Sequence, residues 1–190
     1  MDELIQLLNH HHQFPLRAWR LLLSETQTLS FKKNTQFNLD SGKFHEKQIF
    51  VIKGHFKQFY YQEDGSEKII SFGFPGDYLL QHASAPMRIT VQSLSNAEVL
   101  IFEMNLHQNC TCLSHRFLAD ICNYSIKQYA DHLYILGLRT PVERYDYLSQ
   151  HKPEIANNVA LIDLSKYLNT SREALSRARI SALKKIKGKL

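Results

Sequence analysis

Between Leu161 and Lys184 the chain spells two short helices with almost no room between them. Leu161, Leu164 and Leu168 recur at i, i+3 and i+7 with Tyr167 alongside, which gives the first helix one apolar face. Asn169 follows, where the chain must reverse through a left-handed conformation, and Asn is the non-glycine residue that tolerates it best. Thr170 or Ser171 then offers an N-cap oxygen, and Glu173 sets a carboxylate at the positive end of the second helix. In that helix Ala174, Leu175, Ala178 and Ala182 can pack inward. Arg172, Glu173, Ser176 and Arg177 lie at i, i+1, i+4 and i+5 and share another face of the first turns. Few backbones satisfy these demands together, and the segment reads as a helix-turn-helix.

The chemistry of that second face points to nucleic acid. An Arg can bridge O6 and N7 of guanine, and a Glu can accept from N4 of cytosine, so a recognition helix is expected over Ser171–Ala182. The expected DNA-binding residues are Ser171, Arg172, Glu173, Ser176 and Arg177, with Lys184 and Lys185 as phosphate contacts. The competing reading is a helical hairpin whose charges face water. Charge distribution bears on the choice. From Arg139 onward there are 11 Lys plus Arg against 5 Asp plus Glu, a net of +6, whereas residues 1–138 carry a net of −1. The excess positive charge thus coincides with the helix-turn-helix, as expected when one domain meets phosphates and the other does not.

Upstream the pattern changes twice. Residues 1 to about 25 read as helical, with Leu4, Ile5, Leu7 and Leu8 followed, after Pro15, by Leu16, Trp19, Leu22 and Leu23. From about Thr26 to Phe102 short strands take over: Gln48–Ile52, Phe56–Tyr61, Lys68–Phe72, Ile89–Val91 and Glu98–Phe102. Turn signals at Gly54, Asp64-Gly65, Pro75-Gly76-Asp77 and Ser95-Asn96 separate them. Regularly spaced short strands suggest a small barrel or jelly roll. A long helix without Pro follows from Asn109 to Leu138. Phe117, Ile121, Tyr124, Ile135 and Leu138 form one apolar stripe, and Leu118, Cys122, Tyr129 and Leu136 fill another; Gln128 and Asp131 interrupt the first. Gly137 to Thr140 is a hinge, after which Thr140-Pro-Val-Glu143 restarts a helix with a capping box. The expected class is α+β with three parts. These are a β-roll over 1–108, a helix over 109–138, and an all-α helix-turn-helix domain over 139–190. Thirteen residues follow Arg177 in this sequence, so no full β-hairpin wing is expected after the second helix.

Several of these stretches resemble one family. Ser171-Arg-Glu-Ala-Leu-Ser-Arg177 resembles the recognition helix of the Crp/Fnr family of bacterial regulators, and Leu164-Ser-Lys-Tyr-Leu168 its first reading helix, with Asn169 in place of the usual turn glycine. Gly54, Asp64-Gly65-Ser-Glu67 and Phe74-Pro-Gly-Asp77 resemble the landmarks of that family's sensory roll. The resemblance implies a cyclic-nucleotide-binding-like double-stranded β-helix and a dimer seam along the 109–138 helix. It also implies a homodimer that regulates transcription by reading a palindrome in double-stranded DNA. RNA polymerase is a further partner such a regulator admits. In cyclic-nucleotide members a Gly-Glu pair holds the ribose and an Arg-Ser/Thr-Ala run the phosphate. Here the candidates are Gly76, Asp77, Arg88 and Thr90, a degenerate version of that motif in which Arg88 either meets the phosphate-binding position or falls one residue off it, depending on where a gap is placed.

Other classes find less support. Three cysteines (Cys110, Cys112 and Cys122) are one short of an iron–sulfur ligand set and suggest no disulfide framework. His10-His11-His12 reads as a solvated stretch, and His45, His55, His82 and His107 lack the close pairing of a cupin metal site. No catalytic constellation and no metal site is expected. Apolar runs are too short for a transmembrane helix, and no signal-peptide pattern opens the chain, so a cytoplasmic location is expected. The rival function is a nucleotide-binding signalling module whose C-terminal helices dock a protein partner. Arg172, Glu173 and Arg177 argue against it, since docking helices present apolar anchors.

Overall fold

Two unbroken apolar runs, Ile49-Phe-Val51 and Val99-Leu-Ile-Phe102, mark strands with no wet face, and the first half of the fold is built around them. The computed structural model of the chain describes residues 2–10, 12–24, 26–39, 42–44, 47–79, 87–103 and 111–187. It divides into two units, Met1–Tyr60 with Ser71–Lys127, and Tyr61–Ile70 with Gln128–Leu190.

The chain opens with two short helices, α1 (Asp2–Leu8) and α2 (Leu16–Leu23). Eight strands follow: β1 (Thr26–Phe31), β2 (Gln36–Asn38), β3 (Lys47–Lys53), β4 (Phe56–Tyr61), β5 (Glu67–Gly73), β6 (Tyr78–Leu79), β7 (Thr90–Ser93) and β8 (Ala97–Glu103). They form two four-stranded sheets, ordered β1-β8-β3-β6 and β2-β7-β4-β5. In the first, β8 pairs antiparallel with β1 on one side and β3 on the other. Successive side chains along a strand point to opposite faces. Ile49, Val51, Val99 and Ile101 therefore join Leu39, Phe44, Phe56, Leu79 and Val91 in one buried cluster. Phe50, Leu100 and Phe102 join Leu8, Trp19, Leu22, Tyr78, Phe117 and Ile121 in another. That second cluster brings α1, α2 and the first half of α3 (Thr111–Gly137) onto the sheet. Each such large side chain contributes about 1.5–3 kcal/mol.

Beyond the five expected strands, the roll contains β1, β2 and β6. Their signal is weak for a physical reason: β1 carries only Leu29 and Phe31 as large apolar residues, and β6 is two residues long. The solvated reading of the histidine run is overturned at His12, which is only 1% exposed. His12 is enclosed by the rings of Phe14, Trp19, Tyr78 and Phe117. Its Nδ1 lies 3.1 Å from Asp120 Oδ2 and its Nε2 2.8 Å from the Tyr78 hydroxyl. His11, His45, His82, His107 and Cys110 lie outside the described residues.

The second unit holds the end of α3 followed by α4 (Pro141–His151), α5 (Pro153–Asn158), α6 (Leu161–Tyr167) and α7 (Arg172–Lys187). The capping box at α4 forms as its sequence predicts: Glu143 N–H donates to Thr140 Oγ1 at 3.2 Å, and Thr140 N–H to Glu143 Oε2 at 3.1 Å. Gln128 and Asp131, which break the apolar stripe of α3, both face Lys152, whose ammonium lies 2.7 Å from Gln128 Oε1 and 3.4 Å from Asp131 Oδ2.

Two turn glycines separate backbone strain from crowding. Gly54 and Gly65 both have positive φ, 83° and 79°, but a Cβ on Gly54 would sit 2.6 Å from Asn96 O while one on Gly65 would meet open space. Gly65→Ala should cost about 1 kcal/mol, the left-handed penalty alone. Gly54→Ala should cost more than about 2 kcal/mol, because backbone must move as well. Equal losses in chemical denaturation would contradict this packing.

Candidate nucleic-acid interface

The second helix of the motif is set by its own first residues. Ser171 caps it: Ala174 N–H donates to Ser171 Oγ at 3.1 Å, and Leu175 N–H to Ser171 O at 3.0 Å. Of the two cap candidates, the chain uses Ser171. From there Leu175, Ala178 and Ala182 are buried and Ala174 is half-buried, while Ser171, Arg172, Glu173 and Arg177 are exposed and Ser176 is half-buried. Two expected base-reading arginines and the intervening carboxylate thus occupy the open side of a helix whose other side is core. Lys184 and Lys185 lie within α7, but their side chains are outside the described ones.

The first helix is held by its apolar face, with Leu164, Tyr167 and Leu168 buried and Leu161 half-buried. The reversal occurs at Asn169, whose φ is 49°. Leu168 N–H donates to Leu164 O at 3.0 Å and Thr170 N–H to Ser165 O at 3.0 Å, which closes the helix end. Donors from elsewhere take the remaining oxygens. Arg144 Nη1 donates to Leu168 O at 2.9 Å and to Asn169 O at 3.1 Å, while its Nε donates to Leu138 O at 3.0 Å. Lys68 Nζ donates to Asn169 Oδ1 at 2.8 Å, and Lys166 Nζ to Glu67 Oε2 at 2.7 Å. Burial and the Arg144 guanidinium push the Lys68 ammonium down from its ordinary pKa.

His132, on α3, completes the grip. It is buried, its Nε2 donates to Tyr167 O at 2.9 Å, and its ring stacks on that of Tyr167 with centroids 4.1 Å apart. Burial lowers its pKa to about 4; the Tyr167 and Ile70 carbonyls oppose the shift, and Lys152 and Lys68 reinforce it. Local sequence patterns do not reveal His132, Arg144 or Lys68 as partners of the turn, because each reaches it from a distant part of the chain.

The roll residues flagged for a ligand are placed as follows. Gly76 and Asp77 form the turn before β6, where the Asp77 carboxylate accepts from Phe74 N–H at 2.9 Å and from the Tyr124 hydroxyl. Arg88 is exposed just before β7, and Thr90 opens that strand with its hydroxyl 3.1 Å from Asn38 Oδ1. The first pair precedes β6 and the second borders β7, strands of different sheets. On α3, the side turned from the core carries Cys122, Ile126 and Leu133, the last two 65% and 70% exposed. Tyr134, also exposed, packs its ring 4.9 Å from that of Tyr147. Sequence periodicity singles out Cys122 but neither Ile126 nor Leu133. Among the described residues, no helix is long and apolar enough to cross a membrane.

His132 makes a pH prediction. Its neutral form is favoured in the fold, so its contribution to stability is complete above the unfolded pKa near 6.5 and is lost as pH falls towards 4. Wild type should therefore lose more melting temperature between pH 6.5 and 4 than His132→Gln. Parallel curves would show that this titration is not linked to folding.

No family model matches the chain, and no curated protein matches it in sequence. Solved structures do match. FixK2 from Bradyrhizobium japonicum aligns with a TM-score of 0.70 at 19% identity, over 84% of this chain and 85% of that one. The c-di-GMP-responsive global regulator CLP of Xanthomonas campestris gives 0.62 at 16% identity, over 92% and 93%. A protein assigned to the Crp/Fnr family from Eubacterium rectale gives 0.62 at 13% identity, over 87% and 82%. With its two-sheet roll, long helix and C-terminal helical unit, the chain has the fold of the Crp/Fnr regulators.

Proposed function

We propose that this chain is a sequence-specific DNA-binding transcription regulator that acts as a homodimer in the cytoplasm. The observation that carries the reading is the amphipathic division of α7, with Arg172, Glu173 and Arg177 on its open side and Leu175, Ala178 and Ala182 in the core. A helix presented this way enters the major groove with its N-terminal residues against base edges. Arg177 and Arg172 read guanine, Glu173 reads cytosine, and Lys184 and Lys185 contact phosphates. The net charge of +6 from Arg139 onward supplies the attraction that is independent of sequence.

The second copy meets this one along α3. Ile126 lies four residues after Cys122 and Leu133 seven after Ile126, a spacing that keeps all three on one helical face. Apolar side chains as exposed as Ile126 and Leu133 on a long helix favour burial against the same face of a partner. Two recognition helices related by a two-fold axis read half-sites about 34 Å apart. In the roll, we read Gly76 and Asp77 as turn residues, since the Asp77 carboxylate caps Phe74 N–H, and Thr90 as a partner of Asn38.

Arg177→Ala should cost about 1–3 kcal/mol on the cognate site and relax its sequence preference. Lys185→Ala should weaken binding to all duplexes alike and flatten the salt dependence. Fluorescence anisotropy on cognate and random duplexes separates them, and identical behaviour of the two variants would refute the base-reading role. Leu133→Asp should shift the protein from dimer to monomer in sedimentation; an unchanged mass would remove α3 from the seam.

A further inference from the structure

The face of α6 near the turn carries a cation that the recognition-helix reading leaves without a task. Lys166 lies in the last turn of α6, one turn after Ile162, which is itself half-open to solvent. Its ammonium is 2.7 Å from the carboxylate of Glu67, the first residue of β5, with the two side chains 33% and 19% exposed. The pair is reinforced next door, where Lys68 Nζ holds Asn169 Oδ1 at 2.8 Å. Residues Tyr61–Ile70 accordingly cluster with the C-terminal helices.

In a helix-turn-helix the first helix crosses the phosphate backbone. A cation on that helix is a natural phosphate contact, and a carboxylate within hydrogen-bond reach occupies it with chemistry close to that of a phosphate oxygen. We propose that Lys166 is a further DNA phosphate-binding residue, held in reserve by Glu67. The inference rests on the DNA-reading assignment above. Glu67 acts as an internal competitor for the cation, and it also sets a negative charge beside the path of the backbone. Any ligand or partner that draws residues 61–70 away from α6 therefore raises DNA affinity, by linkage, by the factor that the pair withholds.

Removing the carboxylate while keeping its shape tests this. Wild type, Glu67→Gln, Lys166→Gln and the double variant are titrated with cognate and random duplexes across a salt series, with Arg177→Ala as a parallel control. Glu67→Gln should bind both duplexes about fivefold tighter, and the slope of log affinity against log salt should steepen by about 0.9, the signature of one more phosphate contact. In the Lys166→Gln background the gain should vanish. Weaker or unchanged binding by Glu67→Gln would overturn the proposal. So would a gain that persists without Lys166, since that would be plain repulsion of DNA by Glu67. If Arg177→Ala lowers cognate affinity while Glu67→Gln changes nothing, only the masking of Lys166 falls. If no duplex is bound and Arg177→Ala has no effect, the DNA-reading assignment falls with it.

Discussion

The angle between α6 and α7 depends on one residue in a left-handed conformation, Asn169 at φ 49°. A non-glycine residue there costs about 1–2 kcal/mol, less for Asn than for most side chains. The structure offsets that cost with donors from three separate elements. Arg144 from α4 takes the Leu168 and Asn169 carbonyls, His132 from α3 takes the Tyr167 carbonyl, and Lys68 from β5 takes the Asn169 side chain. Glycine would lower the strain but could not offer Oδ1 to Lys68. The turn is thus both a bend and a socket, and the exposed face of α7 inherits its direction from it.

A different constraint shapes the roll. The sheet β1-β8-β3-β6 is apolar on both faces, so it must be covered twice. One face is covered by the second sheet, with Phe31, Phe37, Phe44 and Phe56 in mutual ring contact between them. The other is covered by α1, α2 and the start of α3, and here polar groups are carried into the core. His12 survives burial because Asp120 and Tyr78 satisfy both ring nitrogens, although desolvation still lowers its pKa. Tyr124 on α3 bonds Asp77 in the turn before β6, where burial and that carboxylate raise its pKa. These polar ties join α3 to the N-terminal part of the chain.

Legibility followed the range of the interactions. Features encoded within a few residues could be read directly: the Thr140–Glu143 capping box, the Asn169 reversal, a cap at Thr170 or Ser171, and the inward set Ala174, Leu175, Ala178 and Ala182, of which Ala174 is only half-buried. Strands with strong apolar patterns could be read as well, and β1, β2 and β6 could not, because β1 and β2 are defined by what they pair with rather than by their own composition. The grip on the turn was invisible, since Lys68 and Asn169 lie 101 residues apart. On α3, Gln128 and Asp131 looked like flaws in an apolar stripe until Lys152 supplied their partner. His12 looked solvated because a run of three histidines gives no hint that one of them meets Asp120, 108 residues later.

The open face of α7 is proposed to read a defined base sequence, as one half of a two-fold pair. Selection of bound duplexes from a random pool, at near-physiological salt and with no added ligand, tests it most directly. A palindrome whose half-sites are centred about one helical turn apart should be recovered. A pool that stays random although the protein retains DNA would mean that α7 meets phosphates without reading bases, and would overturn the role proposed for its open face.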